Sequence, residues 1–258
     1  MFKRLGVLVI LFFSIVLSSS CGKTQKTVYF SDLDSSKVRQ LNAAAFNGQL
    51  IQPDDILNIT IQTVDPAATT VVNQTPAAAS SGASDGISAI NGFLVDEDGN
   101  VEVPVLGVVK LSGMTTTKAR GVIRSIAARY YKNPTVQVRF SNFKITVLGE
   151  VNKPASYTMP NEKVTVLDAI AFAGDLTIYG KRDNILLIRD NGDKKDVIRI
   201  NLNSSDLISS PYFNLKQNDV IYVEPNKARI AVNSAPTRQL ITMTLSIVAV
   251  VITILSRF

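Results

Sequence analysis

Histidine, cysteine, aspartate and glutamate do most acid–base, nucleophilic and metal chemistry, and this chain has almost none of the first two. Its 258 residues include no His and a single Cys, Cys21. Ser-His-Asp and Cys-His catalysis are therefore excluded, as is any His-ligated metal site. A disulfide within the chain cannot form. The acidic residues do not fill the gap. The densest group, Asp96-Glu97-Asp98-Gly99-Asn100, lacks the ligand spacing of a calcium loop. It reads as a hairpin turn between strands at 93–95 and 101–105. No carboxylate pair sits in a recognisable catalytic setting, and no G-x-x-x-x-G-K loop is present to hold nucleotide phosphates. The sequence predicts a protein that is not an enzyme and that uses no cofactor and no metal.

The positive side chains are the other chemical resource. Net charge is +6. Losing Lys3 and Arg4 with a leader would lower it to +4, which is mildly basic and short of a nucleic-acid signature. Four of the cations, Lys118, Arg120, Arg124 and Arg129, cluster in "TTTKARGVIRSIAARYYKNP". They read either as a solvated basic face or as a contact for an acidic glycan or a neighbouring subunit.

The element carrying them is the clearest helix of the chain. Ala119, Val122, Ile123, Ile126, Ala127 and Tyr130 recur at helical spacing, a Thr among 115–117 can cap the start, and Asn133-Pro134 ends it. Around it lie short strand patterns. "LIQPDDILNITIQTV" gives a strand after a Pro-Asp turn, and "TVQVRF" and "KITVLGEV" alternate. A second short helix spans Val164 to Ala171 and is closed by Gly174. Asn191-Gly192 marks a hairpin, and "FNLKQNDVIYVEP" gives a turn and a final strand. Residues 22–48 are polar and read as a tether with room for one short helix. Residues 66–91, rich in Ala, Ser, Thr and Gly, read as a flexible loop. Many short strands with two helices predict an α+β fold in two small domains joined near Ser141-Asn142-Phe143.

Both chain ends are apolar. Lys3 and Arg4 precede an apolar run from Leu5 to Leu17, the right length for a signal-peptide core. Ser18, Ser19 and Ser20 then lead into Cys21. This is similar to a bacterial lipoprotein signal, with Cys21 as the lipidated first residue of the mature chain. Each acyl methylene buried in a leaflet would contribute about 0.8 kcal/mol. Gly22, Lys23 and Thr24 follow, without the nearby Asp, which favours sorting to the outer membrane.

The other end is "RQLITMTLSIVAVVITILSRF", uncharged from Leu240 to Leu255. As a helix those residues would reach about 24 Å, short for a comfortable span. With Leu240 at 0°, Thr242, Ser246, Ala249 and Thr253 fall at about 200°, 240°, 180° and 220° on a helical wheel. Arg238 and Arg257 bracket this weakly polar stripe. The stripe could line a lumen shared by several copies, or it could be the small-residue seam of two tightly packed helices. Both readings imply oligomers. Arg238 and Arg257 suit either two pore rims or lipid headgroups.

Taken in order, "LIQPDDILNITI", "DGNVEVPVLGVVKLSGMT" and "YYKNPTVQVRF" resemble the outer-membrane polysaccharide export family, the Wza type. "ITVLGEVNKPASYTMP", "TVLDAIAFAGDL", "NILLIRD" and "LKQNDVIYVEP" resemble its ligand-binding β-grasp module, SLBB. The resemblance covers roughly 45–226. Two features depart from the pattern: Pro53-Asp54-Asp55 stands where a Gly-Asp pair is commoner, and there is room for one β-grasp module where larger relatives carry more. The resemblance implies a signal peptide at 1–20, a tether at 21–44, an export domain at 45–141 with the loop at 66–91, a β-grasp domain at 142–227, and a linker and C-terminal transmembrane helix at 228–258. It further implies a homo-oligomeric ring, often of eight subunits, whose terminal helices form a pore in outer-membrane lipid. The cargo would be capsular polysaccharide or exopolysaccharide, and the partner an inner-membrane polysaccharide copolymerase, often with a tyrosine kinase domain. A binding or scaffold lipoprotein that docks to another export component is the alternative.

Overall fold

The computed structural model describes residues 28–34, 36–73, 91–192 and 194–233, together with Leu240, Met243, Thr244, Ser246, Ile247 and Val251. Two α+β modules follow one another, each with its own core.

The first module is built on β1 (Ile56–Gln62). Its alternating Leu57, Ile59 and Ile61 all point inward and are buried. β1 is central in a three-stranded antiparallel sheet, flanked by β2 (Phe93–Leu94) and β5 (Thr135–Phe140). The register sets Ile59 against Val138 and Ile61 against Val136. A separate hairpin, β3 (Asn100–Val103) with β4 (Gly107–Lys110), adds Val101, Val103 and Val109 to the same core. Helix α2 (Thr116–Ala127) closes it, with Ala119, Ile123 and Ala127 buried one turn apart. Thr115 caps its start by accepting from the Lys118 amide. Of the apolar positions expected on its inner face, Tyr130 is instead exposed, because the helix ends at Ala127 and the chain turns. Tyr131 packs on the core in its place.

Two further expectations need correction here. The turn at Asp96–Asn100 forms, with the Asp96 amide donating to Asn100 O, but the strands it joins go to different sheets, so it does not close a hairpin. The stretch 66–91 is not wholly a loop, because α1 (Pro66–Val72) occupies its start. Asp65 caps α1 by accepting from the Ala67 amide, and Pro66 stands in its first turn, where a missing N–H costs nothing. Asn73 then fastens α1 to β1, accepting from the Ile61 amide at 2.8 Å and donating to Ile61 O at 2.8 Å. Residues 74–90 lie outside the described residues.

The second module is a five-stranded sheet in the order β7-β6-β10-β8-β9. Its strands are β6 (Lys144–Gly149), β7 (Ala155–Thr158), β8 (Gly180–Asn191), β9 (Lys194–Ile200) and β10 (Val220–Pro225). β10 runs parallel to β6 and antiparallel to β8. Helix α3 (Val166–Phe172) covers one face, and its Val166, Ala169 and Ile170 meet Ile145, Val147, Ile185, Leu187, Ile221 and Val223. Full burial of one such side chain contributes about 1.5–3 kcal/mol. Thr165 and Asp168 form a reciprocal capping box at the start of α3.

Residues 28–49, all but the last within the stretch 22–48 expected as a tether, lie as a strap along the second module, and none of the described residues among them is helical. The Phe30 amide donates to Leu202 O at 2.9 Å and the Ala44 amide to Ile208 O at 3.0 Å. Asp32 accepts from the Ser205 amide and hydroxyl. After β10, α4 (Lys227–Asn233) leads toward the C-terminus. The six described positions beyond it are all helical. Among the described residues no helix is long and apolar enough to cross a membrane. Most of the transmembrane helix expected within 228–258 lies outside them.

Candidate functional site

Two regions of the described chain bring polar side chains together; the sequence places the joint of the domains near Ser141-Asn142-Phe143 but marks neither region as a site. The first is the junction of the modules. Asp55, in the turn before β1, is buried and accepts from the Gln52 amide at 2.7 Å. Its other oxygen accepts from Gln217 Nε2, also at 2.7 Å. Gln217 belongs to the loop before β10, so this bond joins the modules. Asn142, between them, accepts from the Ile56 amide and donates to Asp54 O. Thr116 at the start of α2 donates to Glu162 of the second module at 3.0 Å. Phe140 packs on both cores, its ring 6.4 Å from that of Phe143. Burial pushes the Asp55 carboxyl up to about 6, against the two hydrogen bonds that favour its charged form.

The second region is a cleft of about 500 Å³ between the strap and the second module. Strap residues 44–49 form one wall. They are held by Gln49 Nε2 donating to Leu215 O at 2.9 Å and by Asn214 Nδ2 reaching Ala44 O at 3.4 Å. The floor is Arg189, almost wholly buried. Its guanidinium grips Asp219 through Nε at 3.0 Å and Nη2 at 2.7 Å, donates to Asn214 O, and lies 5.6 Å from the centre of the Tyr212 ring. Asp219 is fully buried and also accepts from the Lys216 amide, so the loop before β10 is folded around this ion pair.

The expected basic cluster is divided. At 100° per residue Lys118 and Arg120 stand about 160° apart on α2, so the four cations do not share one face. Arg120 and Arg124 line a groove of about 370 Å³ with Thr117, Gly121 and β5 residues 135–136. Gly121 and Arg124 also line an adjoining groove with Tyr131 and Lys132. Lys118 and Arg129 line neither. All four are exposed, and no ion pair forms to any of them among the described residues.

Of the terminal candidates, only Ser246 is described. It is exposed, and its hydroxyl donates to Met243 O at 2.8 Å. Cys21, Arg238, Thr242, Ala249, Thr253 and Arg257 lie outside the described residues. No group of three or more His, Cys, Asp or Glu side chains that could hold a metal occurs among the described residues.

Sequence reasoning missed Arg189, Tyr212 and Gln217 because their partners are 23 or more positions away. The signal that was available is Asp219, since an Asp beside an Asn in a turn, followed by an apolar strand, invites the question of what pairs with it.

Residues 43–141 match the family model described as polysaccharide biosynthesis/export protein. Residues 144–200 match the SLBB domain. The chain is similar to the EPS I polysaccharide export outer membrane protein EpsA of Ralstonia nicotianae, 31% identical over 176 residues, covering 65% of this chain and 45% of that protein. It is 28% identical over 145 residues to the protein of the same name from Ralstonia solanacearum, covering 55% of this chain and 38% of that one. The chain spans less than half the length of these curated relatives. Residues 43–141 are thus a polysaccharide biosynthesis/export domain, and one SLBB domain follows it directly.

Proposed function

We propose that the chain is one subunit of an oligomeric outer-membrane channel. Capsular polysaccharide or exopolysaccharide would pass through it from the periplasm to the cell surface, and the protein acts in transport rather than as an enzyme. The observation that carries this reading is the ordered pair of modules over 43–200, shared with relatives named as polysaccharide export outer membrane proteins. Cys21 is the lipid anchor at the inner leaflet of the outer membrane, and the two modules are the periplasmic body. From residue 28 onward the strap lies along the second module.

Residues 228–258 supply the linker and the helix that crosses the outer membrane. In a ring of copies, Thr242, Ser246, Ala249 and Thr253 face the lumen, and Arg238 and Arg257 stand at its rims. Leu240, Met243, Ile247 and Val251 support this placement, being helical, apolar and exposed. They fall within about 80° of one another on the wheel, with Ser246 outside their arc. An exposed apolar helix face needs lipid or another chain against it. The partners are further copies of the chain, the glycan, outer-membrane lipid, and an inner-membrane polysaccharide copolymerase or tyrosine kinase.

The pinned cleft on the SLBB module favours a second reading, a glycan-binding or scaffold lipoprotein whose terminal segment only docks. Deleting residues 238–258 separates the two. The channel reading expects surface polysaccharide to disappear while the body keeps its near-UV circular dichroism. Normal secretion from the truncated chain would contradict the channel and leave the scaffold reading standing.

A further inference from the structure

Charge is divided along the first module. Residues 40–102 hold eight carboxylates and no Lys or Arg, whereas residues 103–149 hold eight Lys or Arg and no carboxylate. The two runs cancel, so the module carries no excess charge but a strong asymmetry. A polyanion drawn to one half would be repelled by the other. A second copy of the chain offers each half its complement.

The fold sends the two halves to opposite edges of the sheet. β2 is one edge and leads, after Val95, into the acidic turn Asp96-Glu97-Asp98. β5 is the other edge, and the groove holding Arg120 and Arg124 lies between α2 and its first residues. The two corners also stand at opposite ends of the central strand. Leu94 pairs with Ile56 at the start of β1, and Thr135 pairs with Gln62 at its end. Six residues of strand span about 20 Å, so the acidic turn and the basic groove cannot meet within one chain.

Both corners are open. Glu97 and Asp98 are exposed at the tip of the turn, and neither forms an ion pair among the described residues. Lys110, paired with Asn100 across the β3–β4 hairpin, offsets part of the acidic charge. At the far corner Arg120 and Arg124 line one groove with residues 134–136, and Arg124 and Lys132 line the adjoining one. These three cations are exposed and likewise form no ion pair among the described residues.

We propose that the acidic turn Asp96-Glu97-Asp98 of one copy seats on the Arg120–Arg124–Lys132 groove of the next. The inference rests on the channel reading above, which supplies the ring, and names the surfaces that close it. A contact between unlike patches is head-to-tail, the kind that generates closed rings. The opposed charges fix its direction and register.

The test uses the full-length protein in detergent, with assembly read by analytical ultracentrifugation and electron microscopy, and folding checked by near-UV circular dichroism. Glu97→Lys/Asp98→Lys makes both corners net positive, and Arg120→Glu/Arg124→Glu makes both net negative. Each variant alone should need at least about tenfold more protein to form rings. Mixed in equal amounts the two should assemble again, because every contact in an alternating ring then joins opposite charges. The chain carrying all four substitutions should assemble by itself. Rings from either double variant alone at wild-type concentration, or no recovery on mixing, overturn the inference. Rings that persist in Arg120→Glu/Arg124→Glu while polysaccharide export stops also overturn it, and assign the groove to an anionic glycan. If the wild type and every variant form rings alike, the contact falls and the channel reading stands. If the wild type forms none, both fall.

Discussion

Gln217 Nε2 donates to the Asp55 carboxylate at 2.7 Å, joining the loop before the central strand of the second module to the turn before the central strand of the first. The opposite atom of the same amide, Gln217 Oε1, is buried and has no hydrogen-bond partner among the described residues. A protonated Asp55 could supply one if the amide turned over. The junction thus contains a carboxyl whose protonation matters and a neighbour able to accommodate either form.

Asp55 makes stability depend on pH in a direction opposite to ordinary surface-paired carboxylates. Its folded-state value, about 6, is raised above the ordinary carboxylate value of 3.8, so the folded protein holds this proton more tightly than the unfolded chain. Its contribution is most favourable below the unfolded value and is lost as pH rises through about 6. Over the whole window the effect is on the order of 2–3 kcal/mol. Asp32, Asp34 and Glu224 are held below their usual values by hydrogen bonds from Ser205, from Ser36, and from Lys181 and Arg199, so they act in the opposite sense at lower pH. Urea midpoints for wild type and Asp55→Asn between pH 4.5 and 7.5 isolate the residue. The wild type should lose stability relative to the variant as pH rises, and parallel curves would show that Asp55 titrates normally.

The Arg189–Asp219 pair should behave as a buried pair does. Asp219→Ala leaves a desolvated guanidinium and should cost about 3–5 kcal/mol, whereas Arg189→Met/Asp219→Leu should recover much of that loss. Chemical denaturation of both variants provides the measurement. Equal losses would mean that the hydrogen bonds to Asn214 O and the Lys216 amide matter more than the charge.

The strap depends on a few hydrogen bonds. Asp32→Ala removes the acceptor of the Ser205 amide and hydroxyl. Hydrogen exchange at the Phe30 amide, now bonded to Leu202 O, should accelerate, while the amides of β8 and β10 stay protected. Unchanged exchange at Phe30 would assign the strap's attachment to Tyr29, whose hydroxyl donates to Asp175 and whose ring lies 5.6 Å from Arg182.

Gly149 ends β6 at φ +89°, and a Cβ there would lie 2.1 Å from Val223 O, a backbone atom of the central strand. Gly149→Ala should destabilise the second module by more than about 2 kcal/mol. Gly192 at φ +63° has open space around it, so Gly192→Ala should cost only about 1–2 kcal/mol. Similar urea midpoints for the two variants would show that the close approach at Gly149 relaxes freely.

Much of this architecture is legible in the sequence because it rests on short-range pattern. Leu57, Ile59 and Ile61 alternate, Ala119, Ile123 and Ala127 repeat at one helical turn, and Asn191-Gly192 turns a hairpin. Helix α1 escapes such reading because its burial falls on Val72 alone among seven residues, and composition outweighed the Asp65-Pro66 start signal. The strap escapes for a different reason. Its attachments run from polar residues to partners some 170 positions away, and no local periodicity encodes them. The cleft inherits that invisibility, since one of its walls is the strap. The basic cluster was visible as composition, but its division between two flanks of α2 follows from angular position.

The central claim is that copies of this chain close into a ring around a lumen. Electron microscopy of full-length particles extracted from the outer membrane in detergent tests it most directly. The account predicts closed rings with a central opening and a narrower helical crown, and loss of the crown when residues 238–258 are removed. Single compact particles at every protein concentration, with the terminal segment present, would contradict it.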